Sequence, residues 1–270
     1  MNLSVFFDHV LQAGEQTGKP LEKLLAGVKA AGIDAVEINL NYLCEHQEVL
    51  DLLAQNELSI SCIYEFYDMG RCDETEKARR HVETAVQAGA KSILVVPGFL
   101  FDEASRKMQE AMPVQENIVA FLAHNEEIKR MADGLSFVAK LGKKQGVTVT
   151  VEDFDDRNSP LAGMYGIQWF LQQVPELMYT LDTGNFLFYG ETVLEAFELL
   201  KDRIAHVHCK DRQPETKASV QTGTGYVPFE GVIEKLKAQK YDGYLAIEHF
   251  DVEGQEECMK GSAEYLKIYC

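Results

Sequence analysis

Four apolar runs in the second half of this chain each carry, at or near their end, a residue able to bind a metal ion. VTVTVE ends on Glu152, LMYTLD ends on Asp182, RIAHVHC carries His208, and GYLAIE ends on Glu248. A buried carboxylate is costly unless it is paired or bound to a cation. Two carboxylates can share one proton, but three converging with an imidazole require a cation among them. One nitrogen and three oxygens suit Mn²⁺, Mg²⁺, Co²⁺ or Zn²⁺. One divalent ion is therefore expected, held by Glu152, Asp182, His208 and Glu248. The competing reading pairs each acid with a nearby Lys or Arg.

Side chains alternate along a strand, so His206, His208 and Lys210 share one face of their run and Val207 and Cys209 the other. By the same parity His249 faces away from Glu248. Glu37 alternates with Val36 and Ile38 and is expected to point inward, as a proton partner or an orienting group, unless a lysine pairs with it. Asn185, Lys210 and Arg212 follow the sixth and seventh runs. With Glu37 and His206 they form the expected substrate-binding wall, although His206 also reads as a core histidine lower down. Glu65 is a further acid near a strand end. Tyr64, Phe99, Phe101, Phe154, Phe186, Phe188 and Tyr226 also lie close to strand ends, where rings can cover the apolar face of a sugar. TGTGYVPFEG (222–231) places Gly223 and Gly225 ahead of a helix, where backbone amides can face an anion. Lys210, Arg212 and Lys217 are the local cations, available to a phosphate or carboxylate, or to Asp211 and Glu215.

Eight strand-like runs position these groups: 3–7, 34–40, 58–64, 91–96, 147–152, 177–182, 203–209 and 243–248. Helical patterns intervene at 21–32, 74–89, 192–203 and 229–240, with a long helical pair over 117–145. Gly32, Gly89, Gly146 and Gly243 stand shortly before strands, as helix-ending glycines do. Eight such βα units close a parallel barrel. A doubly wound sheet is the competitor, but no GxGxxG follows the first run. The fold class is therefore α/β, a (β/α)8 TIM barrel, as a single domain over 1–270. Active sites of such barrels lie at the C-terminal ends of the strands. Residues 97–116, longer than a simple connection, are expected to cover the site there.

The 270 residues carry 26 Lys+Arg against 43 Asp+Glu, a net charge of −17. That excess argues against nucleic-acid and anionic-membrane partners, which need cationic surfaces. No run approaches the length of a membrane span, and the N-terminus lacks a signal-peptide pattern. The six cysteines show no metal-finger spacing and read as reduced thiols, so a cytoplasmic location is expected. A small-molecule partner is expected; a homo-oligomer is compatible with the sequence.

VTVTVEDF, YTLDTGNF, RIAHVHCKD and YDGYLAIEH resemble the last four strands of the sugar phosphate isomerase/epimerase superfamily, the xylose-isomerase-like barrels. GIDAVEI (32–38) resembles its second strand. The resemblance covers nearly the whole chain and is strongest from 145 to 250. Ketose 3-epimerases, hydroxypyruvate isomerase, inosose dehydratase and endonuclease IV are members. The resemblance implies that Glu152, Asp182, His208 and Glu248 hold one metal ion and that Glu152 and Glu248 exchange protons with substrate. The chain departs from the pattern at Asn185, where epimerases and hydroxypyruvate isomerase usually place a substrate-binding histidine. Asn can bond a hydroxyl but cannot carry a proton. Arg212 lies where the epimerases use an arginine. Seven histidines, mostly away from strand ends, and the net charge of −17 argue against the three-zinc nuclease.

The first expectation is a metal-dependent sugar isomerase or epimerase. It would act through an enediolate formed by proton abstraction next to a carbonyl, on a sugar or polyol with or without a phosphate. The second is an inosose-dehydratase-like lyase using the same site. The third is a non-catalytic sugar-binding barrel, against which the intact ligand set argues.

Overall fold

The computed structural model describes residues Met1–Tyr269; Cys270, one of the six cysteines, lies outside the described residues. Nine strands form among the described residues: β1 (Asn2–Phe6), β2 (Ala35–Asn39), β3 (Ser59–Phe66), β4 (Ser92–Val96), β5 (Thr148–Glu152), β6 (Met178–Asp182), β7 (Ile204–Arg212), β8 (Ser219–Val220) and β9 (Tyr244–Glu248). All but β8 pair in parallel, each beside the next, and β6–β7 and β9–β1 pairing closes the ring. The result is an eight-stranded parallel barrel wrapped by helices.

Strands covered on both faces read as continuous apolar runs. β4, SILVV, is buried at every position. Outward side chains such as Val5, Ile38, Ile63, Ile93, Val151 and Leu245 join the helices in the main core. The helix Glu126–Gln145 packs there with Ile128, Met131, Leu135 and Val138. Its start is fixed by Asn125, whose side chain accepts from the Ile128 amide at 3.1 Å. Its end is Gly146, with φ at 75°. Gly32 and Gly89 also adopt positive φ, but at the fourth such joint Lys240 does so, not Gly243.

Inside the barrel, below the acidic cluster, two threonines bond in series. Thr180 Oγ1 donates to Thr150 Oγ1 at 2.8 Å, and Thr150 Oγ1 donates to the Ile93 carbonyl at 3.1 Å. The upper layer is divided. Phe6, Cys62, Tyr64 and Leu94 form an apolar cluster on β1, β3 and β4, while β5, β6, β7 and β9 bring acids and histidine.

Several boundaries differ from the sequence reading. Phe7 begins a helix, Phe7–Thr17, where the first run was expected to continue. Glu65 lies within β3 and turns outward, 3.4 Å from Lys77 Nζ. The seventh run extends to Arg212 because β8 pairs back antiparallel on Asp211 and Arg212. Residues 97–116 hold the helix Asp102–Ala111. The Leu100 amide donates to the Asn158 carbonyl at 2.9 Å, and Ser105 bonds the Asn158 side chain. These bonds tie the segment to the chain after β5, beside the mouth. None of its residues lines the central cavity, so it flanks the site and does not cover it.

Candidate functional site

Four parallel strands bring inward side chains together, though not at one register level, since Glu152 pairs with Thr180. Asp182 pairs with His208, His208 with Ala246, and Lys210 with Glu248. One ligand atom from each of Glu152, Asp182, His208 and Glu248 lies within 4.8 Å of all the others, and all four residues are buried. His208 Nδ1 is 2.9 Å from Glu152 Oε2 and 3.0 Å from Glu248 Oε2. Lys210 Nζ lies 3.2 Å from Asp182 Oδ2 and 2.5 Å from Glu248 Oε1.

The turn after β6 shapes Asp182. Its Oδ1 accepts from the amides of Gly184 at 2.8 Å and Asn185 at 3.0 Å, leaving Oδ2 toward the cluster. Gly184 is required there, since a Cβ would sit 2.8 Å from the Lys210 carbonyl. Asp182 Oδ2 and Glu248 Oε2 are buried and accept no well-directed hydrogen bond. Such oxygens are costly without a partner. Glu37, Glu152, Asp182 and Glu248 surround Lys210 and His208; burial opposes charge on His208, but Glu37 and Glu152 outweigh it and favour its charged form. The donor set and its two orphaned oxygens fit a divalent ion.

Charge within the cluster is uneven. Burial raises the Glu152 carboxyl above its ordinary range, with His208 pulling the other way. Burial pushes Asp182 up to about 7, opposed by Lys210. Burial also opposes charge on Glu248, but Lys210 and His208 outweigh it and hold that carboxyl low. Nothing among the described residues hydrogen-bonds Glu152 Oε1, whereas Lys210 engages Glu248 Oε1.

Glu37 and His206, expected on the substrate wall, lie instead beneath His208. Neither lines the cavity. Glu37 meets no lysine; its Oε2 is 2.8 Å from His206 Nε2 and 3.2 Å from His208 Nε2. Asn185, Lys210 and Arg212 do line it. Asn185 is committed internally: Nδ2 donates to the Asp153 carbonyl at 2.8 Å, while Oδ1 accepts from Lys210 at 3.1 Å and Arg212 at 3.0 Å. Arg212 also pairs with Asp155 at 2.6 Å.

The anion expected at the glycine loop is Asp211 itself. Its carboxylate accepts from the amides of Arg212, Gly223, Gly225 and Val227 at 2.8–3.0 Å.

The cavity above the cluster measures about 600 Å³ and opens between Glu152, Lys210 and Glu248 on one side and Phe6, Tyr64, Phe66, Phe154 and Phe250 on the other. Of the aromatics singled out by sequence, Tyr64 and Phe154 line it. Phe99 backs Phe154 at 5.4 Å, Phe186 is core, Phe188 stacks under Arg212, and Phe101 and Tyr226 are exposed. Phe6, Phe66, Phe250 and Asp155 went unnoticed in the sequence. The inward parity of β1 and β3 would have flagged Phe6 and Phe66.

A family model, the xylose isomerase-like TIM barrel, matches residues 25–269. The chain belongs to that family. Among xylose isomerase-like barrels, an inosose dehydratase of Clostridium perfringens is 24% identical over 249 residues, covering 84% of this chain and 81% of that protein. A solved D-tagatose 3-epimerase-like protein superposes with a TM-score of 0.72 at 21% identity, covering 100% of this chain and 97% of its own. The D-allulose 3-epimerase of Methylomonas sp. gives a TM-score of 0.76 at 16% identity, covering 100% and 98%. These likenesses to solved structures establish the fold. Among the described residues no helix is long and apolar enough to cross a membrane.

Proposed function

We propose that this xylose isomerase-like barrel is a divalent-metal-dependent enzyme that removes a proton from the carbon next to a carbonyl of a small sugar or polyol. The observation that carries this reading is the buried Glu152–Asp182–His208–Glu248 cluster at the floor of the cavity. Glu152, Asp182, Glu248 and His208 through Nδ1 would hold the ion. A bound divalent ion supplies Lewis-acid stabilisation for negative charge developing on substrate oxygen.

Glu152 is the base, because its Oε1 accepts no hydrogen bond among the described residues and faces the cavity side of the cluster. Lys210 restrains Glu248, and Asn185 holds Lys210 and Arg212 in place. The aromatic wall excludes water and receives the apolar face of the substrate.

Two outcomes follow proton removal: return of a proton, as in an isomerase or epimerase, or loss of a β-hydroxyl as water. An epimerase uses two carboxylates of similar freedom. Here His208 contacts both carboxylates, and Lys210 restrains Glu248 alone, which favours the lyase outcome. The inosose dehydratase relatives support the same reading. An unphosphorylated substrate is supported by the commitments at the mouth: Lys210 to Asp182 and Glu248, Arg212 to Asp155, and the glycine loop to Asp211.

Inososes, ketoses and phosphorylated ketoses, incubated with Mn²⁺ in deuterium oxide, test this reading. Deuterium uptake at the α-carbon of an unphosphorylated substrate is expected. Glu152→Gln should lower it by at least about 10²-fold. Absence of uptake with every candidate would remove the reading.

A further inference from the structure

The apolar half of the cavity carries one polar side-chain group. Among the lining residues of β1, β3 and β4 (Phe6, Tyr64, Phe66, Leu94 and Val96), only Tyr64 ends in a hydroxyl. In the strand order β3 stands across the barrel from β7, which bears His208 and Lys210. Phe6 lies between the two sides, its ring 5.6 Å from that of Tyr64 and 5.0 Å from that of His208. A six-membered ring resting on Phe6 would meet the carboxylate cluster at one edge and Tyr64 at the other.

Tyr64 does not stand alone. Its hydroxyl donates to Asp8 Oδ2 at 2.8 Å. Asp8 occupies the first turn of the helix Phe7–Thr17, two residues beyond Phe6, and is partly exposed. Burial raises its carboxyl, and the Tyr64 hydrogen bond opposes that rise. Burial, then Asp8, keeps the Tyr64 hydroxyl protonated well beyond its ordinary range. A carboxyl that burial biases toward its protonated form, that reaches solvent and that touches the hydroxyl of a cavity-lining tyrosine forms a short path for protons into the apolar half.

We propose that Tyr64, backed by Asp8, is the catalytic proton donor to the hydroxyl that leaves the substrate as water. This rests on the lyase reading above. Glu152 takes the α-proton, and its electron pair becomes the new carbon–carbon double bond. The bond from the β-carbon to its hydroxyl oxygen breaks, and its electron pair leaves with the oxygen. That oxygen takes the proton from Tyr64 Oη and departs as water. The Asp8 carboxylic acid returns a proton to the phenolate, solvent reprotonates Asp8, and Glu152 releases its proton to solvent.

Tyr64→Phe and Asp8→Asn enzymes, loaded with Mn²⁺ and given 2-keto-myo-inositol in deuterium oxide, separate the two proton transfers. Deuterium entering unreacted substrate reports Glu152; the unsaturated ketone, followed by its ultraviolet absorbance, reports elimination. For Tyr64→Phe, elimination should fall by about 10²-fold or more while deuterium uptake stays within about threefold of wild type or rises. Asp8→Asn should show the same split at smaller size, about tenfold. Wild-type elimination by Tyr64→Phe overturns the assignment. A parallel fall of uptake and elimination also overturns it, because Tyr64 then only shapes the cavity. If the wild-type enzyme exchanges deuterium without elimination, or does neither, the lyase reading itself has failed and the assignment falls with it.

Discussion

Glu37 and His208 meet in the barrel interior with the Glu37 carboxylate on Nε2 of the imidazole, at 3.2 and 3.3 Å, leaving Nδ1 turned to Glu152 and Glu248. A hydrogen on Nε2 directed at Glu37 leaves the Nδ1 lone pair for an ion. His206 anchors Glu37 from the other side at 2.8 Å. Burial opposes the Glu37 charge, but the two histidines outweigh it and hold the carboxyl at about 2. Glu37→Gln should therefore weaken Mn²⁺ binding by about 10- to 100-fold, the usual scale for a partner behind a metal-ligating histidine. Isothermal titration calorimetry on the apo variant measures this, and unchanged affinity would show that Glu37 does not orient His208.

Metal binding should also be visible in stability. An ion that binds only the folded chain at 100 times its dissociation constant stabilises by about 2.7 kcal/mol. Treatment with EDTA should lower the melting temperature, and Mn²⁺ should restore it. Asp182→Ala should abolish the Mn²⁺-dependent shift. A full shift in that variant would place the ion elsewhere.

Asp211 holds the loop after β8 through three backbone amides, those of Gly223, Gly225 and Val227, and its buried carboxylate also accepts from the neighbouring Arg212 amide. Bonds to a charged group contribute roughly 1.5–3 kcal/mol each and do not simply add. Asp211→Ala is expected to cost about 3 kcal/mol or more in urea unfolding. Gly225→Ala should also destabilise, since its Cβ would stand 2.4 Å from Asp211 Oδ1 and 2.5 Å from the Arg212 carbonyl. Losses below about 1 kcal/mol in both would mean that the loop is held by other contacts.

His81 is buried between the Tyr67 hydroxyl, 2.9 Å from Nδ1, and the Ile63 carbonyl, 3.0 Å from Nε2. Burial lowers its pKa from 6.5 to about 3. Between those values the unfolded chain binds a proton that the folded chain does not. Stability from this residue is therefore complete above pH 6.5 and is lost as pH falls toward 3, by up to about 1.4 kcal/mol per pH unit. His81→Gln should flatten the pH dependence of unfolding free energy by up to that slope between pH 6.5 and about 4.5. An unchanged slope would mean that His81 is already charged in the fold.

The barrel and the four strand-end residues that cluster at its rim were legible in the sequence because both rest on local periodicity. Alternation along a strand tells which side chains face inward, and a polar residue ending an apolar run marks the rim of a parallel barrel. That was enough to select Glu152, Asp182, His208 and Glu248, and to read His208 and Lys210 as sharing a face. Barrel closure decided what those residues touch. His206 and Glu37 stand 169 positions apart in the chain, and only the closed ring puts them together under His208. Tyr64 and Asp8 meet across 56 positions because β1, β2 and β3 lie side by side. Lys210 belongs to a strand and not a loop because it pairs with Glu248 of β9, and Arg212 because β8 folds back on it. The glycine loop is filled from within because that hairpin delivers the Asp211 carboxylate to its amides. Which face a residue occupies is a property of its own strand, whereas its partner depends on the register of strands far apart in the chain.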